Sequence, residues 1–254
     1  GGSDTSAVAL AVALEANECQ IFTDVDGVYT TDPRVYAKAK KIDKLSFEEM
    51  LELSSLGAKV LQIRSVEFAS KYEMPIRVLS SFSSTGGTLI TKEESGLESA
   101  VISGITCTDD DSKLILRNVP DTPGIAAKIL SPISDAGIDI DVIVQNVGSD
   151  KLTDFTFTVK NEHSDKAAKI LNDLVKTLGG GEIELVKDIS KVSVVGVGMK
   201  SHAGVAAQMF KALAEQQINI DMISTSEIKI SVVVSKDKSK AAVMALHDEF
   251  ELDK

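Results

Sequence analysis

Three stretches near the start of the chain carry residues that could handle an anion. The first is Gly1-Gly2-Ser3-Asp4-Thr5-Ser6, followed by the helix-forming run Ala7-Val8-Ala9-Leu10-Ala11-Val12-Ala13-Leu14. A helix starting there leaves first-turn N–H groups free beside two glycines and small hydroxyls. Such a place suits a carboxylate or a phosphate; an ordinary capped helix is the plain alternative. The second is Asp24-Val25-Asp26-Gly27-Val28-Tyr29-Thr30-Thr31-Asp32-Pro33-Arg34, entered from a buried-strand candidate at residues 18–23. A strand ending in an acidic, glycine-containing loop is where open α/β sheets hold ligands. Its carboxylates could meet ribose hydroxyls or a hydrated Mg²⁺, or form no more than a polar turn. The third is Gly57-Ala58-Lys59-Val60-Leu61, expected to open a helix. A lysine at a helix start opposes the dipole. An anion in front of it would remove the conflict; a solvated surface lysine is the alternative.

The elements that would position these groups follow from pattern. Ser46 and Glu49 have the spacing of a capping box ahead of an apolar run. Residues 75–79 and 88–91 read as strands. The second half repeats itself: Pro123-Gly124-Ile125-Ala126-Ala127 matches Ala203-Gly204-Val205-Ala206-Ala207, and Ile138-Asp139-Ile140-Asp141 matches Ile218-Asn219-Ile220-Asp221, both at an offset of 80. In the first copy, residues 113–119 read as a strand, 120–124 as a turn and 125–136 as a helix stopped by Gly137. Strands at 138–147 and 154–159 should pair as a hairpin, ahead of a helix at 164–178. The second copy gives a strand at 192–198, a helix at 204–216, strands at 218–225 and 228–234, and a helix at 237–248. Each is a βαββαβ unit of ferredoxin-like plan.

Composition excludes several classes. The net charge of −11 and the absence of tryptophan disfavour a nucleic-acid partner. No run of about 18 apolar residues could span a membrane, and the first residues have no signal-peptide character. Cys19 and Cys107 form no ligand or redox motif, which points to a reducing cytoplasm. His163, His202 and His247 are scattered, so neither a metal site nor a histidine-based triad is expected. There is no Walker A motif, and Gly196-Val197-Gly198 lacks the third glycine of a dinucleotide fingerprint.

Taken together and in order, Gly1–Ala7, Phe22–Arg34 and Gly57–Leu61 resemble aspartate kinases of the amino acid kinase family. Val119-Pro120-Asp121-Thr122-Pro123-Gly124-Ile125-Ala126 is similar to the signature of ACT domains. The resemblance covers the whole chain. It implies an α/β fold: a partial amino acid kinase-like three-layer domain, then two ferredoxin-like ACT domains. The expected domains are residues 1–96 (the ATP-binding side of the kinase), 113–180 (the first ACT domain), and 97–112 with 186–254 (the second). On this pattern the first ACT domain is inserted in the second, and residues 101–106 supply a strand to the second.

The resemblance further implies ATP-dependent phosphorylation of the L-aspartate side chain to 4-phospho-L-aspartate, with Mg²⁺. That is the first step towards lysine, threonine and methionine. Gly1, Gly2, Ser3 and Asp4 would lie at the aspartate site, with Asp4 and Lys59 taking part in phosphoryl transfer. Thr23, Asp24, Tyr29, Asp32 and Arg34 would line the ATP site, and Lys59 would meet the phosphates. Lysine and/or threonine would act as effectors where ACT domains meet, in a homodimer or an α2β2-type assembly. The matching positions are Asp121, Gly124, Ala126, Asp141 and Gln145 in the first unit, and Asn219, Ile220 and Ser226 in the second. The family's opening strand and glycine loop, beginning K-F-G-G, is absent, so the chain is expected to be a fragment without turnover of its own. A non-catalytic ACT-type regulatory subunit and a purely structural dimerisation domain are the competing readings. Residues 1–62 favour the kinase, because a sensor needs neither the lysine turn nor the Tyr29–Arg34 loop.

Overall fold

The alanine-rich run near the start folds as α1 (Ser3–Ala13), with Val8 and Ala11 buried on its inner side. The computed structural model describes residues 2–57, 60–84, 86–93, 101–148 and 151–254. Gly1 and Lys59 lie outside the described residues. The chain divides into two units, Gly1–Thr108 with Lys191–Lys254, and Asp109–Ser190.

The first unit continues with β1 (Cys19–Thr23), β2 (Lys44–Ser46), α2 (Phe47–Ser55), α3 (Ile63–Lys71), β3 (Ile76–Ser80), β4 (Thr88–Thr91) and β5 (Gly104–Thr108). Strands β1 to β4 form a sheet in the order β1-β3-β4-β2, with β1 parallel to β3 and β2 parallel to β4. Met50 and Leu53 of α2, Val66 and Ala69 of α3, and Ile76, Val78 and Ile90 of the sheet share one core. Each large apolar side chain buried there contributes about 1.5–3 kcal/mol.

The capping box is present in full. Ser46 Oγ accepts from the Glu49 N–H, and the Glu49 carboxylate accepts from the Ser46 N–H. The expected helix start at Gly57 is displaced. Gly57 has φ 106 and follows the last turn of α2, where the chain leaves the helix. The next helix opens at Ile63, with Gln62 extended as its N-cap.

The second unit contains β6 (Asp111–Pro120), α4 (Ile125–Asp135), β7 (Ile140–Val147), β8 (Leu152–Lys160), α5 (Ser164–Leu178) and β9 (Glu182–Val186). Its antiparallel sheet runs β7-β8-β6-β9. Ile125, Ile129 and Ile133 form the buried stripe of α4. That helix closes with the Gly137 N–H on the Ser134 carbonyl and the Ile138 N–H on the Ile133 carbonyl, a Schellman motif with Gly137 at φ 73.

The chain then returns to the first unit through β10 (Ile189–Val195), α6 (Val205–Glu215), β11 (Met222–Thr225), β12 (Lys229–Ser235) and α7 (Ser239–Glu249). The sheet here is β11-β12-β10-β5. The repeated plan is thus complete only with β5, which pairs antiparallel with β10 from Gly104↔Val195 to Thr108↔Lys191. Strand β5 comes before the second unit in sequence, so that unit is an insertion. Three strands of this sheet differ from the sequence pattern, the first being β5, which lies at Gly104–Thr108 rather than 101–106. β10 ends at Val195, and a 3₁₀ turn occupies Val197–Ser201. β11 starts late because the Ile218 N–H is used to close α6 on the Leu213 carbonyl.

Candidate active site and effector surfaces

Helix α1 packs on β1, and α1 and α3 pack on one another. In each helix–strand pair the chain turns back, so the N-termini of α1 and α3 lie at the end of the sheet where parallel β1 and β3 finish. Neither helix has a side-chain cap at its N-terminus. Asp4 Oδ2 accepts from the Gln62 N–H at 3.2 Å, tying the first turn of α1 to the start of α3. Ser3, Asp4, Ser54, Ser55 and residues 60–63 line a cleft of about 620 Å³. Gly2, Ser3 and Asp4 are therefore brought against the segment that follows Lys59.

Thr23 ends β1 and its hydroxyl donates to the Asp24 carboxylate at 3.1 Å. The loop beyond is pinned at its start by Thr88, which is fully buried. Its hydroxyl accepts from the Val28 N–H at 2.8 Å and donates to the Ile42 carbonyl at 2.6 Å. Gly27 is required here: its φ is 152, and a Cβ would come within 2.6 Å of Thr88 Oγ1. The Tyr29 hydroxyl donates to Asp26, and Lys41 pairs with the same carboxylate. That hydrogen bond, with the lysine charge, holds Asp26 below the usual carboxylate range. Arg34 grips Asp32 with two nitrogens, Nε at 3.0 Å and Nη2 at 2.7 Å, which lowers the Asp32 pKa. The arginine itself stays exposed. Lys41 and Thr88 are neighbours of this loop that local sequence pattern did not single out.

In the second unit Gly124 caps α4 with φ 89, and its Cβ direction is open. The glycine there serves backbone conformation rather than space. The Asp121 N–H donates to the Lys151 carbonyl, and Gln145 Nε2 donates to Thr153 Oγ1 at 3.3 Å. Thr153 pairs with Val119 across one strand boundary and Val147 across the other. The Asp121–Gly124 turn and Gln145 thus meet at one end of the sheet, with Ala126 half-buried on the helix above. Asp141 is at the other end of β7, four residues from Gln145, about 13 Å along a strand. Asp141 thus stands further along β7 than Gln145. In the matching part of the first unit, Asn219 Nδ2 donates to Asp221, and Ser226 makes a tight turn through its N–H to the Lys229 carbonyl. Ile220 is half-buried against the core.

The amino acid kinase family model matches residues 1–80, and ACT domain models match residues 114–179 and 192–250. A chain in the crystal structure of aspartokinase alpha and beta subunits is 41% identical to this one, with a TM-score of 0.56. The match covers 59% of this chain and 99% of that one. The chain belongs to the aspartokinase family. Aspartate kinase from Pseudomonas fluorescens (strain SBW25) is 61% identical over 254 residues, the whole of this chain and 62% of the relative. This member of the family therefore spans about 62% of the length of the curated relatives it matches. Aspartokinase III from E. coli, solved in complex with aspartate and ADP, is 27% identical with a TM-score of 0.80. Its match covers 98% of this chain and 56% of that one.

Among the described residues no helix is long and apolar enough to cross a membrane. Nor does any group of three or more His, Cys, Asp or Glu side chains there form a metal site.

Proposed function

We propose that this chain is the nucleotide-binding and regulatory part of an aspartate kinase that phosphorylates the side-chain carboxylate of L-aspartate with MgATP. The observation that carries the reading is the convergence of the uncapped N-termini of α1 and α3 on one cleft beside Asp4. Two helix N-termini at the ends of parallel strands provide N–H donors and partial positive charge for anions. Gly2, Ser3 and Asp4 hold aspartate, while Thr23, Asp24, Tyr29, Asp32 and Arg34 form the nucleotide side, and Lys59 neutralises phosphate charge. Gly1 belongs to the same aspartate site.

The residues present fit a nucleotide that brings its own metal. Asp24, exposed at the strand end, would meet the water shell of a Mg²⁺ brought in with the nucleotide phosphates. The ion and the lysine supply charge neutralisation in phosphoryl transfer. The carboxylate nucleophile is ionised at neutral pH and needs no general base.

The ACT units sense lysine and/or threonine, end products of the pathway that the reaction opens. Asp121, Gly124, Ala126 and Gln145 offer one half of a pocket, and Asn219, Ile220 and Ser226 close it from an ACT unit of a second subunit. Asp141 contributes from further along β7. The assembly is a homodimer or an α2β2-type complex. E. coli aspartokinase III, a solved relative, was obtained with lysine and aspartate bound, which supports this class of effector. The cytoplasm fits two free cysteines.

A chimera tests the activity: this chain replaces the matching part of the Pseudomonas fluorescens relative. ATP-dependent aspartyl phosphate, trapped as the hydroxamate, is expected. A folded chimera that hydrolyses or binds no MgATP and forms no hydroxamate refutes the kinase reading.

A further inference from the structure

The loop that carries Tyr29, Asp32 and Arg34 is held by the ACT part of its own unit, and not by the kinase sheet alone. The Thr30 carbonyl accepts from the Ile105 N–H of β5 at 2.7 Å. Thr30 Oγ1 accepts from the Lys40 N–H at 3.0 Å and is 2.9 Å from His247 Nε2 on α7. Gly104 lies so close that a Cβ there would be 3.2 Å from the Thr30 carbonyl oxygen.

Six residues further on, the Tyr36 ring stands edge-on to the His247 ring at 5.1 Å, and its hydroxyl donates to Asp248 at 2.6 Å. Lys38 donates to the same carboxylate oxygen at 2.9 Å. Between these two anchors the Val35 and Tyr36 N–H groups bond to the Asp32 carbonyl. The turn that presents Asp32 and Arg34 is therefore built directly on the Tyr36 anchor. Thr30, Tyr36 and His247 are buried, so the Thr30–His247 contact is shielded from competing water, while Asp248 and Lys38 are about half exposed.

Helix α7 in turn packs on α6. Ala242, Val243 and Leu246 share a core with Val205, Met209 and Leu213 of α6. Helix α6 begins at Gly204, at φ 97 the counterpart of Gly124. A contiguous packed path thus links that helix start to the nucleotide loop.

We propose that α7 is the mount of the nucleotide loop, and that Tyr36, His247 and Asp248 are positioning residues for nucleotide binding. Any ligand that shifts α7 is then read as a change in nucleotide affinity. The inference rests on the nucleotide reading of the Tyr29–Arg34 loop.

The test uses this 254-residue chain. MgADP is titrated by calorimetry into the wild type, Tyr36→Phe, Asp248→Ala and Asp248→Asn. Amide exchange at Thr30, Val35 and Tyr36 is followed in the same proteins. Losing the Tyr36 hydrogen bond in Tyr36→Phe, or both the Tyr36 and Lys38 contacts in Asp248→Ala, should weaken MgADP about 5- to 30-fold and speed exchange at all three amides. Asp248→Asn keeps an acceptor for Tyr36 and should stay within about threefold of wild type. A merely structural role lowers the melting temperature without moving the affinity of the folded protein. MgADP affinity unchanged in folded Tyr36→Phe and Asp248→Ala overturns the proposal. If wild type binds no MgADP, the nucleotide reading falls. The mount is then judged by exchange alone, and unchanged exchange in both variants overturns it.

Discussion

Replacing Glu49 by alanine should destabilise the first unit by about 3–7 kcal/mol. Glu49 is buried at the start of α2, and its carboxylate accepts four hydrogen bonds. Oε2 takes the Ser46 N–H and hydroxyl, each at 2.9 Å. Oε1 takes the Ser103 hydroxyl at 2.5 Å and the Val197 N–H at 3.1 Å. The first pair completes a helix cap, whose loss costs about 1 kcal/mol. The second pair reaches the ACT part of the unit, and truncation strands a buried N–H and a half-buried hydroxyl at about 1–3 kcal/mol each. Glu49→Gln keeps the shape, but its amide N–H₂ must face a donor on one side, so a loss of about 2 kcal/mol is expected. Ser103→Ala combined with Glu49→Ala should show coupling of about 1 kcal/mol, because the two residues share a contact. Urea unfolding by circular dichroism, with amide exchange of α2 and β10 to assign the transition, measures these values. A loss below about 1 kcal/mol for Glu49→Ala would refute the reasoning, since it would mean that the stranded donors find water or other partners at no cost.

Three further outcomes are expected. Lys59→Ala in the chimeric enzyme should lower kcat/KM for MgATP by about 10²-fold or more; near-normal kinetics would make Lys59 a surface residue. Asp121→Ala or Gln145→Ala should relieve inhibition by lysine or threonine while leaving uninhibited kcat within about twofold, with coupling of about 1–3 kcal/mol lost; unchanged inhibition in both folded variants counts against the effector surface. Burial pushes His247 below its ordinary value, against smaller upward pulls from Asp248 and Asp253. The unfolded chain then binds more protons than the folded one, so this contribution is complete above about pH 6.5 and is lost as pH falls through the folded value. Stability measured against pH should show that slope in wild type and lose it in His247→Gln.

Local signals were legible in the sequence. The Ser46–Glu49 box, the turn at Gly137 and the repeat at an offset of 80 depend on spacings of a few residues or on copying, and each is visible in one strand of text. The displaced helix start at Ile63 was not, because a glycine followed by a helical pattern reads equally as the end of one helix or the start of another. The contacts made by Thr88, Glu49 and His247 were out of reach for a different reason. Their partners lie 60, 148 and 217 residues away in sequence. No periodicity encodes such pairs; the fold alone brings them together. The same holds for Asp141, whose distance from Gln145 follows from strand geometry that a list of site residues does not carry.

The late pairing of β5 with β10 also sets an order of events on the ribosome. Strand β5 leaves the exit tunnel with its partner edge not yet made, and roughly eighty residues of the inserted unit must follow first. At about 5–20 residues per second that is a wait of roughly 4–16 s. The inserted unit can close its own sheet in that interval. The kinase helices, meanwhile, remain without the turn that satisfies Glu49 and the helix that receives Tyr36. Newborn chains should therefore pass through a stage with one finished domain and one open one, vulnerable to proteases and chaperone-dependent, until α7 is synthesised.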